Sequence, residues 1–194
     1  PSIPAARTLP DGFLNTTFRR YGRDIENLAQ EVDHALRTPA EDIARQVAQT
    51  LDQLPEGDPL RGLQVFRSSK AACSACHQLG YLGGRIGPEL TRIGRSRTRS
   101  ALLEAILFPS SRIEQSFVPM QVLTSDGQVL NGLVVSEDAE RIRLQVAADR
   151  VETVDRSDIL MSRPGTTSIM PGGLQQVLSL QEIADLLALL ESSK

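Results

Sequence analysis

Tryptophan is absent from this 194-residue chain, and aromatic residues make up only 4% of it. A core must therefore be assembled from aliphatic side chains, with 40% hydrophobic residues to draw on, or around a flat apolar body that the chain itself does not supply. Charge of either sign is also scarce as a net quantity. The formal value of −3 excludes the strongly basic face by which nucleic-acid binders are recognised. No apolar run approaches the roughly 20 residues that span a bilayer, so no membrane span is expected. Neither an internal repeat nor a low-complexity tract is present. The chain opens on Pro1, without Met and without a signal-like segment, which reads as a processed protein or an excised part of a longer one. The length suits one domain, or one small domain with an added element.

The scarcest reactive residues are concentrated. Both cysteines and one of the two histidines fall within Cys73-Ser74-Ala75-Cys76-His77, and C-x-x-C-H is the attachment signature of c-type haem. The two thiols bond to the porphyrin's vinyl groups, and the adjacent His77 is held beneath the iron as proximal ligand. Two other uses of such a pair compare poorly. Zinc takes about four N, O or S ligands, and beyond this stretch the chain offers only His34 and no further cysteine, so carboxylates would have to complete the site. A thioredoxin-like redox pair wants a βαβ setting, and none surrounds Cys73. The expected cofactor is one covalent haem c, which would use both thiols and leave none for a disulfide.

Residues 1–22 are studded with Pro1, Pro4 and Pro10, which break regular elements. A helix is expected from Asp24 to Leu36, with Ile25, Leu28, Val32 and Leu36 at helical spacing. Thr38-Pro39-Ala40-Glu41 opens another, with Thr38 as cap and Glu41 closing a capping box; Ile43, Val47, Leu51 and Leu54 form its apolar stripe. His34 lies in this region and reads as a solvated or packing residue. Asp58-Pro59 starts a helix to about Ser69, with Leu63 and Phe66 on its apolar side, leading directly into the cysteines. Gly80 to Gly94 reads as loop, and Ser100 as the cap of a short helix, Ala101–Leu107, stopped by Pro109.

From Phe117 to Ile159 the texture is that of strands: Val118–Leu123, Val129–Val135, Arg141–Val146 and Val151–Val154, with Asp126-Gly127 as a hairpin turn. A sheet or barrel of about 45 residues is close to the lower limit for independent stability, so it is expected to lean on its host. Ser179-Leu180-Gln181-Glu182 is a capping box, and Ile183, Leu186, Leu187 and Leu190 mark one face of a final helix.

His77 fills one axial position, and the three methionines are candidates for the other. Met120 lies in a strand and Met161 ends the strand region, where packing is the expected role. Met170 sits in Ser168-Ile169-Met170-Pro171-Gly172-Gly173, an irregular loop able to carry a thioether to iron, and axial His/Met is a standard arrangement. Met170 is the expected distal ligand.

On these residues the chain resembles class I cytochromes c. Gly62 and Phe66 ahead of Cys73, Cys76 and His77 are similar to that family's first helix. Gly87-Pro88-Glu89-Leu90 resembles its Gly-Pro-x-Leu loop, which implies that the Pro88 carbonyl accepts the ring N–H of His77. Ser168-Ile169-Met170-Pro171 is similar to its methionine loop. From Asp58 to Lys194 the chain more closely resembles the haem-binding domain at the end of large planctomycete and verrucomicrobial proteins. Ile93-Gly94-Arg95, Leu102-Leu103-Glu104-Ala105-Ile106-Leu107-x-Pro109-Ser110, Thr124-x-Asp126-Gly127, Gly132 and Asp158-Ile159 come in the same order, before the closing Met-Pro loop. Arg97 departs from the family, standing where a hydrophobic residue is common. Residues 1–57 lie outside the match and are similar to the tail of a preceding domain.

The resemblance implies a mainly α chain: a cytochrome c fold with a small antiparallel β insert and an N-terminal helical extension. Its expected divisions are 1–57, 58–114 with the cysteines, the insert 115–162, and 163–194 with Met170. It implies a cofactor-binding set of Cys73, Cys76, His77 and Met170 with Phe66, Gly87, Pro88, Leu90, Ile93, Arg95 and Arg99. Arg85, Arg92, Arg95, Arg97 and Arg99 crowd one stretch. They read either as a solvated basic loop or as partners of the haem propionates and of an acidic redox protein. The function expected is one-electron transfer between redox partner proteins, not catalysis, as a relay in a larger dehydrogenase-like system. The alternative is a haem enzyme or gas sensor with an open or labile sixth position. Covalent haem attachment implies a periplasmic or otherwise extracytoplasmic setting.

Overall fold

Capping explains where the helices begin. A computed structural model describes residues 40–194, and the expected helix Asp24–Leu36, the cap Thr38 and His34 lie outside the described residues. Helix α1 (Ala40–Gln53) buries Val47 alone; Leu54, assigned to its stripe, falls past its end. In α2 (Pro59–Arg67) the Asp58 side chain accepts from Arg61 N at 2.8 Å, and Pro59 occupies the first turn, where no N–H is needed. The single turn α3 spans Cys73–Cys76. Helix α4 is Arg99–Leu107, capped by the Thr98 hydroxyl on Ala101 N rather than by Ser100. A short α5 (Leu174–Val177) precedes α6 (Leu180–Ser192), where Ser179 and Glu182 close the capping box in both directions. Among the described residues, no helix is long and apolar enough to cross a membrane.

Helix α6 is the hub of the helical part. It buries Ile183, Ala184, Leu186, Leu187, Leu189 and Leu190, almost all the way round, because α2, α4 and the 3₁₀ turn Ile93–Arg95 all pack on it. Gly62 makes the α2–α6 crossing possible, since a Cβ there would lie 2.1 Å from the Asp185 carbonyl oxygen. Phe66, 1% exposed, fills the space beside it. Asp185 is buried in the same crossing at 2% exposure. The Arg61 guanidinium grips it with Nε and Nη2, each at 2.9 Å, and Asp58 N and Gln181 Nε2 add donors at 2.7 and 2.9 Å. A buried carboxylate is tolerable only with such partners, and the Arg61 hydrogen bond holds it below its ordinary value of 3.8.

The remaining layer overturns the expected fold class. Five antiparallel strands, β1 (Met120–Thr124), β2 (Val129–Glu137), β3 (Arg141–Ala147), β4 (Arg150–Asp155) and β5 (Ile159–Pro164), form one sheet in the order β4-β3-β2-β1-β5. With this sheet beside the helices the chain is not mainly α, as a cytochrome c fold would be, but mixed α and β. The sheet has a core of its own: Val122, Ile142, Leu144 and Val154 are buried, with Met120, Leu130, Val146 and Ile159 packed on them. Register places Val122 opposite Leu130 and Ile142 opposite Val154, so the apolar side chains share a face. Strand β5 was not anticipated. Its Leu160 and Met161 are exposed, and Pro164 closes it, so it carries no alternating apolar signal; it is placed by pairing with β1 at the sheet's edge. The β1–β2 turn is the Asp-Gly hairpin that was expected, with Gly127 at φ +85° and the Asp126 carboxylate held below its ordinary value chiefly by the Thr124 hydroxyl.

Candidate functional site

The approach to the cysteines is a forced turn. After α2, Ala72 adopts the left-handed conformation at φ 51°, ψ 23°, the one non-glycine residue with positive φ among the described residues. Such a residue costs about 1–2 kcal/mol. The turn reverses the chain into α3 and is held by Ala72 N on Ser68 O at 2.8 Å. Cys73 and Cys76 then stand three apart on one helical turn, the spacing that puts side chains on a common face. Both thiols are free and half-buried. Burial pushes the Cys73 thiol up to about 11 and raises that of Cys76, the reverse of the depressed values of redox-active pairs.

His77 ends the turn, its N–H donating to Cys73 O at 2.9 Å. The chain that follows folds back over it. Gly84 N donates to Ser74 O, and Ile86 N and Gly87 N share Cys76 O, all at 2.9–3.0 Å. Gly80 N meets the Thr91 hydroxyl at 2.8 Å, and Leu90 N meets Gln78 O at 2.8 Å. This fold-back lays Gly87 flat against the imidazole: a Cβ at that position would be 2.6 Å from His77 Cε1. It also sets His77 Nδ1 at 2.8 Å from the Pro88 carbonyl oxygen. A carbonyl can only accept, so Nδ1 carries a proton; in the neutral ring Nε2 is then the nitrogen left to ligate a metal.

Of the other expected residues, Phe66 lies in the α2–α6 crossing, and Leu90 and Ile93 are half-buried along the loop. The arginines divide. Arg99 pairs with Glu191 at 2.5 Å, Arg97 with Glu114 at 2.6 Å, and Arg85 donates to Gln78 Oε1 at 2.9 Å. Arg92 and Arg95 are exposed and meet no acid among the described residues. The pairing with Glu114 satisfies the Arg97 guanidinium.

Met170 is half-buried in residues 165–173, between β5 and α5. This segment is tied to parts of the chain that sequence reasoning passed over. Gly165 N donates to Pro119 O at 2.7 Å, Asn131 Nδ2 to Thr167 O at 2.8 Å, and Ser168 N to the Ser110 hydroxyl at 3.0 Å. Met170 N in turn meets the Ser168 hydroxyl at 3.1 Å. No local pattern announces Asn131, and the motif that contains Ser110 does not announce its contact with Ser168, since each acts across the fold.

The donors present fit a covalently held haem: two uncommitted thiols one turn apart and one imidazole with a free Nε2. Among the described residues, no three His, Cys, Asp or Glu side chains are gathered so as to hold a metal ion between them. The polar groove lined by Glu140, Arg141, Asp155 and Arg156 offers no second centre, as its arginines already pair with Asp155 and Glu137. The sequence matches no protein-family model, and no curated protein matches it.

Proposed function

We propose that this chain carries one covalent haem c and passes single electrons between redox partner proteins outside the cytoplasm, as a relay within a larger dehydrogenase-like assembly. The observation that carries this reading is His77, whose Nδ1 is anchored on Pro88 O at 2.8 Å, directly following two cysteines that form no disulfide. The haem supplies one-electron exchange at iron, with thioether ligation favouring the ferrous state. The protein's own residues do the rest. Cys73 and Cys76 would hold the group covalently, and His77, its ring oriented by Pro88 and Gly87, and Met170 would supply its ligands. Arg92 and Arg95, exposed and meeting no acid among the described residues, attract an acidic partner. The reading includes the resemblance of residues 58–194 to the planctomycete-type haem-binding domain.

The test is a carbon monoxide difference spectrum of the reduced, haem-loaded protein. No spectral change is expected, since both axial positions are filled. Ready CO binding would make an enzyme or sensor with an open iron the better reading.

A further inference from the structure

Asn131 poses a problem that its surroundings answer. It stands in β2 opposite Gln121 of β1. Its Oδ1 is a buried side-chain atom without a hydrogen-bond partner among the described residues. An unmet buried acceptor is costly, and a leucine would fill the same space without that cost. What the asparagine adds is its other end, the Nδ2 donor that holds Thr167 O at 2.8 Å. The chain passes close to it: a Cβ on Gly165 would come within 2.5 Å of Asn131 Oδ1, so the asparagine side chain would have to shift to admit one. From that point the ties run in sequence, Gly165 to Pro119, Thr167 to Asn131, Ser168 to Ser110 and Met170 to Ser168. Beyond Met170, Gly172 has no neighbour close enough to touch an added Cβ.

We infer that Asn131 is a positioning residue for Met170: from the sheet it sets the path of residues 165–170, and so how firmly the sixth axial position is held. The inference rests on the haem reading above and gives the sheet a task in it. The sheet is the fixed wall to which the methionine segment is fastened.

The experiment uses the full haem-loaded chain as wild type, Asn131→Leu and Met170→Leu, with CO affinity, reduction potential and thermal midpoint measured for each. Wild type is expected to resist CO and Met170→Leu to bind it fully. Asn131→Leu should retain its covalent haem and a midpoint within a few degrees of wild type. Its apparent CO affinity should rise about five- to tenfold, the worth of one hydrogen bond, and its potential should fall. A purely structural role would move the midpoint and leave the potential alone. If Asn131→Leu matches wild type in CO affinity and potential while Met170→Leu binds CO, the inference fails and the haem reading stands. A wild type that holds no haem, or that takes CO as readily as Met170→Leu, overturns both. Should Asn131→Leu fail to accumulate, Ser110→Ala at an exposed position reads the next tie, with a rise of roughly two- to fivefold expected; no change there overturns the inference.

Discussion

The turn carrying His77 is fastened to its own neighbourhood, its ring reaching Pro88 only 11 positions away and its backbone closing on Ser74, Cys76 and Gln78. The segment carrying Met170 is fastened instead to Asn131 and Ser110, 36 and 58 positions away from the residues they hold. A locally closed site keeps its geometry as long as its own loop is intact. A site closed from a distance takes its geometry from whatever positions the distant residue, here the five-stranded sheet. The two axial candidates therefore answer to different parts of the molecule, and each can be disturbed without the other.

The largest effect expected lies on the His77 side. Replacing Cys73 and Cys76 together by serine should abolish haem that survives acid-acetone extraction, and retention of such haem in the double variant would sink the attachment reading. Next comes Phe66→Ala, which empties a fully buried site where α2 meets α6 and should cost about 3–5 kcal/mol in urea unfolding. Leu144→Ala in the sheet's separate cluster should cost about 2–5 kcal/mol. If the comparison is right, it raises CO access at Met170 more than Phe66→Ala does for the same loss of stability. Gly87→Ala drives a methyl against the imidazole and should cost about 1–3 kcal/mol. It should also shift the potential while resistance to CO persists; an unchanged potential would show that the ring does not depend on this loop.

Acid gives a smaller, graded effect. The folded Asp185 carboxyl is depressed, chiefly by the Arg61 hydrogen bond. It therefore stabilises the fold above its ordinary value of 3.8, and that contribution disappears as pH falls below it. Glu182, depressed first by Lys70, acts in the same direction. Stability should be flat from about pH 5 upward and fall beneath it, and Asp185→Asn should shrink the drop; equal drops in both proteins would remove Asp185 from the account. The smallest change expected is Ala72→Gly, which relieves the left-handed residue for a gain of up to about 1 kcal/mol, read as a small rise in thermal midpoint.

What was legible in the sequence divides along the same line as the two axial sides. The Asp58 cap, the Ser179 capping box and the Asp126-Gly127 turn were readable because each is made by residues two to four apart. The cysteine turn and the loop to Leu90 were readable as a motif. Strand β5 was not, because pairing with β1 places it and its own residues alternate poorly. Asp185 carried no warning, since an acid on the apolar face of α6 is explained only by Arg61, 124 positions earlier. Thr98 displaced Ser100 as cap because the turn from Ile93 to Arg97 feeds the helix two residues sooner than the apolar pattern suggests. Asn131 looked like any polar residue of a strand.

The crossing of α2 with α6 also sets an order of events during synthesis. Asp58 and Asp185, bonded through backbone and carboxylate, stand 127 residues apart, and Lys70, just ahead of the cysteines, is paired with Glu182 across 112. On a chain made from its N-terminus, the segment with Cys73 and Cys76 emerges long before the helix that buries its leading edge. The two thiols therefore pass through a period, before the last helix docks beside Lys70, as part of a segment reachable from every side. Any chemistry that needs both thiols uncovered has that interval in which to act.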